Sequence, residues 1–269
     1  MESKQHYQIG VFDSGVGGLT VVQQLIQKLP HESLVYFGDT ARVPYGGKSK
    51  QTIIRYSIEN AMFLLEKNIK LLVVACNTAS AFAIHKLRKI FNIPVVDVIE
   101  PGADKAVAVT RHKRIGVLGT RGTIQSGVYQ HEIQRRLPDA VVFPMACPLL
   151  TPLVEEQCLH HPATKLILKD YLNPLKENRI DTLLLGCTHY PLLRPLIEQE
   201  MGSDVTIVDS ASTCAEKVAA VLQQHQLQSL SRQATYQYYV SDDPKRFQET
   251  GEMLFGRPME HVELWQQHD

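Results

Sequence analysis

The 269-residue chain lacks any surplus of charge: 28 Lys and Arg stand against 28 Asp and Glu, with no long run of either sign. This excludes the basic footprint by which nucleic-acid binders neutralise phosphates, and it points to a small-molecule partner. Long apolar runs are missing too. The start, MESKQHYQIG, has no apolar segment of the secretory-leader kind, and no stretch approaches the roughly 20 apolar residues that span a bilayer, so the expectation is a soluble, cytoplasmic protein with no membrane partner. No C-x-x-C pair occurs. Cys76, Cys147, Cys158, Cys187 and Cys214 are an odd number scattered over a long chain, without zinc-ligand spacing, which excludes a disulfide scaffold and predicts free thiols in a reducing compartment. A lone cysteine is more often an inert small hydrophobe than a nucleophile, so only local context singles one out.

What the chain does contain is a recurring alternation. Aliphatic runs of strand length occur at 8–13, 34–39, 71–76, 95–98, 114–119, 140–145, 182–187 and 205–209, with amphipathic helical stretches between them. Strands alternating with helices predict right-handed βαβ units and a mostly parallel sheet covered on both faces, an α/β fold. The length suits one large or two small domains. An internal echo favours two: Leu72-Val73-Val74-Ala75-Cys76-Asn77-Thr78 matches Leu183-Leu184-Leu185-Gly186-Cys187-Thr188-His189, each with three aliphatics, a small residue, cysteine and two polar residues. Ile99-Glu100-Pro101-Gly102 reads as the crossing between them. The chain after Ser210, with a helix and a Tyr-rich strand at 235–240, is expected to return to the first unit, giving one domain from 1–99 plus 210–269 and another from 100–209.

In doubly wound sheets ligands collect outside the carboxyl ends of the strands. At the first such end lies Asp13-Ser14-Gly15-Val16-Gly17-Gly18, whose glycines allow backbone N–H groups to approach an anion at the helix starting at Leu19. It lacks the third glycine of the dinucleotide fingerprint and the Lys-Ser/Thr of a P-loop, so a carboxylate fits better than a polyphosphate. A tight turn capped by Asp13 or Ser14 without any ligand reads equally well. The second end, Gly38 to Gly47, is stiffened by Pro44, and Tyr45 with Gly46 can offer a hydroxyl and bare backbone; Arg42 serves either as a carboxylate clamp or as a partner of Asp39.

The third end is Cys76-Asn77-Thr78, and its counterpart is Cys187-Thr188-His189. A cysteine at a helix N-terminus feels the positive end of the macrodipole, which predicts a thiol pKa below the usual value of about 8.5. Asn77, Thr78 and Thr188 can cap helices or turn toward a bound carboxylate and ammonium. His189 can exchange a proton with a thiol, and Cys-x-His is also half of a metal site, though no complement to it stands out. Two equivalent cysteines facing one another across a cleft permit inversion at a carbon centre: one thiolate removes an α-proton while the opposing thiol delivers a proton to the other face. Without a cofactor as electron sink, hydrogen bonds to the substrate carboxylate and exclusion of water must stabilise the carbanion.

These stretches, together with Tyr36 through Gly46, Leu118-Gly119-Thr120, Gly122-Thr123-Ile124, Cys147-Pro148, Pro152-Leu153-Val154-Glu155 and Leu185 through Leu192, arrive in an order that resembles the glutamate racemases of the aspartate/glutamate racemase superfamily. The likeness spans about 9–210 and is looser afterwards. It implies two similar doubly wound parallel-sheet domains with the active site in the cleft between them. The implied activity is conversion of L- to D-glutamate for peptidoglycan, with neither cofactor nor metal. It also implies that Cys76 and Cys187 are catalytic, that Asp13 assists Cys76, and that Glu155 and His189 assist Cys187. Substrate contacts are implied at Asp13, Ser14, Tyr45, Gly46, Asn77, Thr78, Thr188 and His189. By the same resemblance Cys76 acts on the D form and Cys187 on the L form. Cys147, Cys158 and Cys214 are expected to be structural, and His160-His161 a solvated helix start before Pro162.

Other readings compete. A racemase of the same fold acting on aspartate or a hydantoin shares both cysteines, and substrate length separates it. A cysteine hydrolase with Cys187 as nucleophile and His189 as base leaves Cys76 unexplained. A non-catalytic amino-acid sensor tolerates loss of either cysteine. A two-fold homodimer is the simplest default assembly.

Overall fold

The computed structural model describes residues 4–265; residues 1–3 and 266–269 of the expected first unit lie outside the described residues. The first part of the chain runs β1 (Gln8–Asp13), α1 (Leu19–Lys28), β2 (Leu34–Gly38), α2 (Lys50–Glu66), β3 (Ile69–Val74), α3 (Asn77–Ile90) and β4 (Val95–Asp97). Helix α4 (Ile99–Val109) leads to β5 (Arg114–Gly119), α5 (Arg121–Gln125), α6 (Val128–Arg136), β6 (Val141–Ala146), α7 (Leu150–Glu155), α8 (Pro162–Glu177), β7 (Thr182–Gly186), α9 (Arg194–Met201) and β8 (Thr206–Asp209). Helix α10 (Ser210–Gln224) then leads back to β9 (Tyr236–Val240), α11 (Pro244–Phe255) and β10 (Val262–Leu264).

The α/β expectation holds: two wholly parallel sheets form, ordered β10-β9-β2-β1-β3-β4 and β6-β5-β7-β8. Strands β2, β3 and β7 are buried along their whole length, as continuous aliphatic runs are when helices cover both faces. The segment after Ser210 puts β9 beside β2, and β10 extends that edge. Strand β10 has no counterpart among the sequence expectations.

The strand orders fix where a ligand site belongs. From β1 the chain moves outward to β2, then crosses to β3 on the other side of β1, so the connections leaving β1 and β3 diverge. The second sheet repeats this, with β5 leading to β6 on one side and β7 to β8 on the other. Each divergence is a topological switch point, where a crevice opens at the strand carboxyl ends. Asp13 and Cys76 border the first, and Thr120 and Cys187 the second.

Both crossing helices start on an aspartate. Asp97 Oδ1 accepts the N–H groups of Ile99 (2.7 Å) and Glu100 (3.0 Å) at α4, and Asp209 Oδ1 those of Ala211 (2.8 Å) and Ser212 (3.0 Å) at α10. Each such cap contributes about 1 kcal/mol by satisfying otherwise orphaned donors. The two helices pack on one another, and one apolar cluster runs through them, from Val11 and Val73 by way of Ala103, Ala106, Ala215 and Val218 to Val117 and Leu184. His161 caps α8, its Nδ1 accepting from Ala163 N at 3.1 Å with Pro162 as the first helical residue, in keeping with the helix start expected there. Among the described residues no helix is long and apolar enough to cross a membrane.

Candidate active site

The turn after β1 is built around Asp13. Its Oδ2 accepts the N–H groups of Gly15 (3.1 Å) and Gly18 (3.0 Å), and its Oδ1 accepts from Thr188 Oγ1 at 3.4 Å, a contact from the first sheet to the second. Both readings of this motif therefore have a structural basis: Asp13 caps its own turn and also faces the opposite strand end. Burial raises the Asp13 carboxyl above its ordinary value, against the opposing pull of His189 and the backbone donors. The glycines serve close approach. A Cβ at Gly17 would stand 2.5 Å from the His189 ring and from Thr188 Oγ1, so only a bare backbone lets the two strand ends meet. Thr20 Oγ1 ties α1 to the same place by donating to the Thr188 carbonyl at 3.0 Å.

In the loop after β2, Arg42 donates through Nε to both Asp39 oxygens, at 2.8 and 2.7 Å, which selects the structural reading of that arginine. The hydroxyl of Tyr45, expected to reach a ligand, is instead buried: it donates to Asp39 and accepts from Asn60 Nδ2 at 3.1 Å. What this loop offers across the cleft is backbone. A Cβ at Gly46 would lie 2.6 Å from Thr120 Cβ, and Thr120 in turn shares hydrogen bonds with Thr78 (2.9 Å) and Thr123 (3.0 Å).

Cys76 caps α3, with its Sγ 3.5 Å from the N–H of Ala79 and 3.8 Å from Ser14 Oγ. The macrodipole is present, yet the expected low thiol pKa is overturned. Burial, followed by the neighbouring Asp13 charge, pushes the Cys76 thiol well above its ordinary value, because desolvating the thiolate costs more than the helix end returns. Next to it, Asn77 Oδ1 accepts from Tyr129 OH at 2.6 Å.

Cys187 is not followed directly by a helix, contrary to the echo read from sequence; Tyr190–Leu193 forms a short 3-10 turn and α9 starts only at Arg194. Pro191 and Pro195 cannot donate to helical hydrogen bonds, which favours this tighter start. The thiol finds a different partner: Cys187 Sγ lies 3.7 Å from His189 Nδ1, and His189 Nε2 lies 3.2 Å from Glu155 Oε1. Burial alone would lower the His189 pKa, but hydrogen bonding to Cys187 and Glu155 and their negative charge outweigh it and push it up to about 10. Thr151 Oγ1 stands 3.7 Å from Cys187 Sγ. Sequence reasoning overlooked Thr151, although its i, i+4 spacing from Glu155 places both on one face of α7.

Cys76, Cys187, Asp13, Ser14, Thr188, His189 and Glu155 are thus brought together, and Asn77, Thr78 and Gly46 border them. Both thiols are only 5 % exposed. A cavity of about 260 Å³, lined in part by Gly15, Val16, Val43, Glu155 and Arg246, adjoins this cluster without reaching either sulfur. Across it, Arg246 of α11 pairs with Glu156 at 2.9 Å. Cys147 and Cys214 are buried away from the cluster's hydrogen bonds, while Cys158 is half-buried. Among the described residues no group of three or more His, Cys, Asp or Glu side chains stands where it could hold a metal ion.

Residues 9–218 match the Asp/Glu/Hydantoin racemase family. A glutamate racemase from Neisseria meningitidis is 51% identical over 258 residues, 95% of each chain. The crystal structure of a glutamate racemase isoform from Bacillus anthracis superposes with a TM-score of 0.95 at 39% identity, covering 97% of this chain and 98% of that one. The glutamate racemase of Francisella tularensis, solved in complex with D-glutamate, gives a TM-score of 0.91 at 35% identity with the same coverage. With its two switch-point cysteines and this likeness over nearly its whole length, the chain belongs to the Asp/Glu/Hydantoin racemase family, among its glutamate racemases.

Proposed function

We propose that this chain interconverts L- and D-glutamate in the cytoplasm, supplying D-glutamate for peptidoglycan, by moving the α-proton between Cys76 and Cys187 without a cofactor. The observation that carries the reading is the placement of one buried cysteine at the switch point of each sheet, with Asp13 of one side hydrogen-bonded to Thr188 of the other.

In this mechanism the Cys187 thiolate takes the α-proton from L-glutamate while the Cys76 thiol gives its proton to the opposite face. The product is D-glutamate, Cys187 is left as thiol and Cys76 as thiolate, and the reverse reaction exchanges the roles. The His189 imidazolium at 3.7 Å stabilises negative charge on Cys187, and Glu155 holds the ring. Buried Asp13, its carboxyl pushed upward, sits beside Cys76 and favours the thiolate there when it is itself protonated. Ser14, Asn77, Thr78, Thr188 and the Tyr45-Gly46 backbone surround the substrate carboxylates and ammonium. Because both sulfurs are buried, substrate reaches them only when the walls part. The units 1–99 with 210–269, and 100–209, are the bodies that separate.

The test is racemisation without added cofactor, followed by circular dichroism, using L-glutamate, D-glutamate and L-aspartate. Either glutamate enantiomer should end as an equal mixture, and Cys76→Ala and Cys187→Ala should each slow this by about 10²–10⁴-fold, the usual size of a general acid or base contribution. Turnover of aspartate alone would change the substrate, full activity in either variant would remove the two-thiol mechanism, and inertness toward every amino acid would favour a sensor.

A further inference from the structure

Tyr129 lies outside the site as read from sequence, yet it touches the immediate neighbour of each cysteine. It projects from α6 and is 3 % exposed. Its ring rests on Gly186, the residue before Cys187: a Cβ at that position would stand 2.9 Å from Tyr129 Cε2 and 2.7 Å from the Leu118 carbonyl oxygen. The opposite edge of the ring faces Gly102 of α4, where a Cβ would stand 3.7 Å from Cε1. The hydroxyl donates at 2.6 Å to Oδ1 of Asn77, the residue after Cys76.

The connection closes on itself. With Oδ1 of Asn77 taken by the tyrosine, its Nδ2 hydrogens face away, and one approaches Ser210 Oγ at 3.5 Å. Ser210 Oγ in turn donates to the Leu185 carbonyl at 3.1 Å, two residues before Cys187. The turn that carries Cys76 and the strand that delivers Cys187 are therefore held together by a buried ring of contacts. Any buried hydroxyl needs an acceptor; this one takes it from the residue beside Cys76 while its ring packs beside Cys187, and a buried polar network of this kind specifies one arrangement of the elements it joins.

We propose that Tyr129 is a positioning residue that holds the two thiols in register and presents the Asn77 amide to the substrate through its N–H₂ rather than its oxygen. The proposal rests on the two-thiol reading above. Proton transfer from one face and delivery to the other require both sulfurs to be in line with the α-carbon at once, and a misplacement of about 1 Å costs on the order of 10²-fold in rate. When only one sulfur is in place, abstraction still occurs but the proton tends to return from the same side.

The experiment compares wild type with Tyr129→Phe, Asn77→Ala and the double variant in D₂O, measuring kcat, KM and the ratio of deuterium in recovered substrate to deuterium in inverted product. Tyr129→Phe keeps the ring on Gly186 and removes only the hydroxyl. Its kcat should fall about tenfold, the equivalent of one buried hydrogen bond, and its melting temperature by only a few degrees. The retained-to-inverted deuterium ratio should rise, which a merely space-filling role would not cause. Adding Tyr129→Phe to Asn77→Ala should cost nothing further, since both act through one contact. A wild-type kcat and ratio in Tyr129→Phe, or a penalty that adds in full to that of Asn77→Ala, overturns the proposal. Should Tyr129→Phe not fold, Asn77→Ala decides alone: a wild-type deuterium ratio in it is equally fatal. An inert wild type in the same assay would instead strike at the racemase reading itself.

Discussion

Cys76 and Cys187 occupy equivalent places, each beyond a strand at the switch point of a parallel sheet, yet their neighbours differ. Cys76 has a helix end and the Ser14 hydroxyl, which favour the thiolate, but burial first and the Asp13 carboxyl second outweigh them and push the thiol pKa up. Cys187 has no helix end; it has an imidazole backed by a carboxylate and a threonine hydroxyl. The comparison teaches that repeated topology places two like residues at like positions, while local substitutions give them different polar neighbours. In the proposed mechanism this asymmetry would let one thiol serve as the base and the other as the acid of a two-sided proton transfer.

The sharpest way to break the comparison is to remove its cation. His189→Gln should lower kcat/KM about 10²-fold, since Cys187 loses the imidazole beside it while the scaffold stays intact. With the His189 pKa pushed up to about 10, the imidazolium persists through neutral pH and is lost as pH rises through about 10. The wild type should therefore show an alkaline decline in kcat/KM near that value, and His189→Gln should lack it. A pH-rate profile of both proteins checks this.

Asp13→Asn probes the other side more gently. One side-chain oxygen accepts both turn N–H groups, so an amide oxygen can replace it. The folded-state pKa of Asp13 is raised by burial, so its protonated form stabilises the fold at low pH and that contribution disappears as pH rises from about 3.8 through the folded value. The asparagine variant escapes this loss. Its melting temperature should exceed that of wild type at neutral pH, with the gap closing on acidification, while racemisation slows. Melting curves across the acid range settle the point.

The smallest effect is expected at the mouth. Arg246 and Glu156 are both largely exposed, so their ion pair across the cavity is screened by solvent. Arg246→Ala should change kcat/KM by less than about threefold, with the difference shrinking as salt is added. A larger, salt-independent loss would mark Arg246 as part of the substrate site.

Much of this was legible in the amino-acid order. Continuous aliphatic runs such as Leu71 to Val74 and Leu183 to Leu185 announce buried parallel strands, and polar clusters at their ends mark the crevice. Short edge strand β10 escaped notice because only Val262 of its three residues is even partly buried, leaving little hydrophobic pattern to read. The direction of the Tyr45 hydroxyl and the contact between Tyr129 and Asn77 depend on residues far apart in sequence, which local spacing does not reveal. The two cysteine motifs look alike on paper. Only packing discloses that one thiol is governed by desolvation and the other stands against an imidazole.

The central claim, that two thiols with assigned roles act on opposite faces, is tested most directly by the early course of the wild-type reaction in D₂O. Starting from L-glutamate, the account predicts that the D-glutamate formed carries solvent deuterium at the α-carbon while recovered L-glutamate stays largely unlabelled. Deuterium appearing equally in recovered substrate and product from the first turnovers would mean that one base serves both faces, and would contradict it.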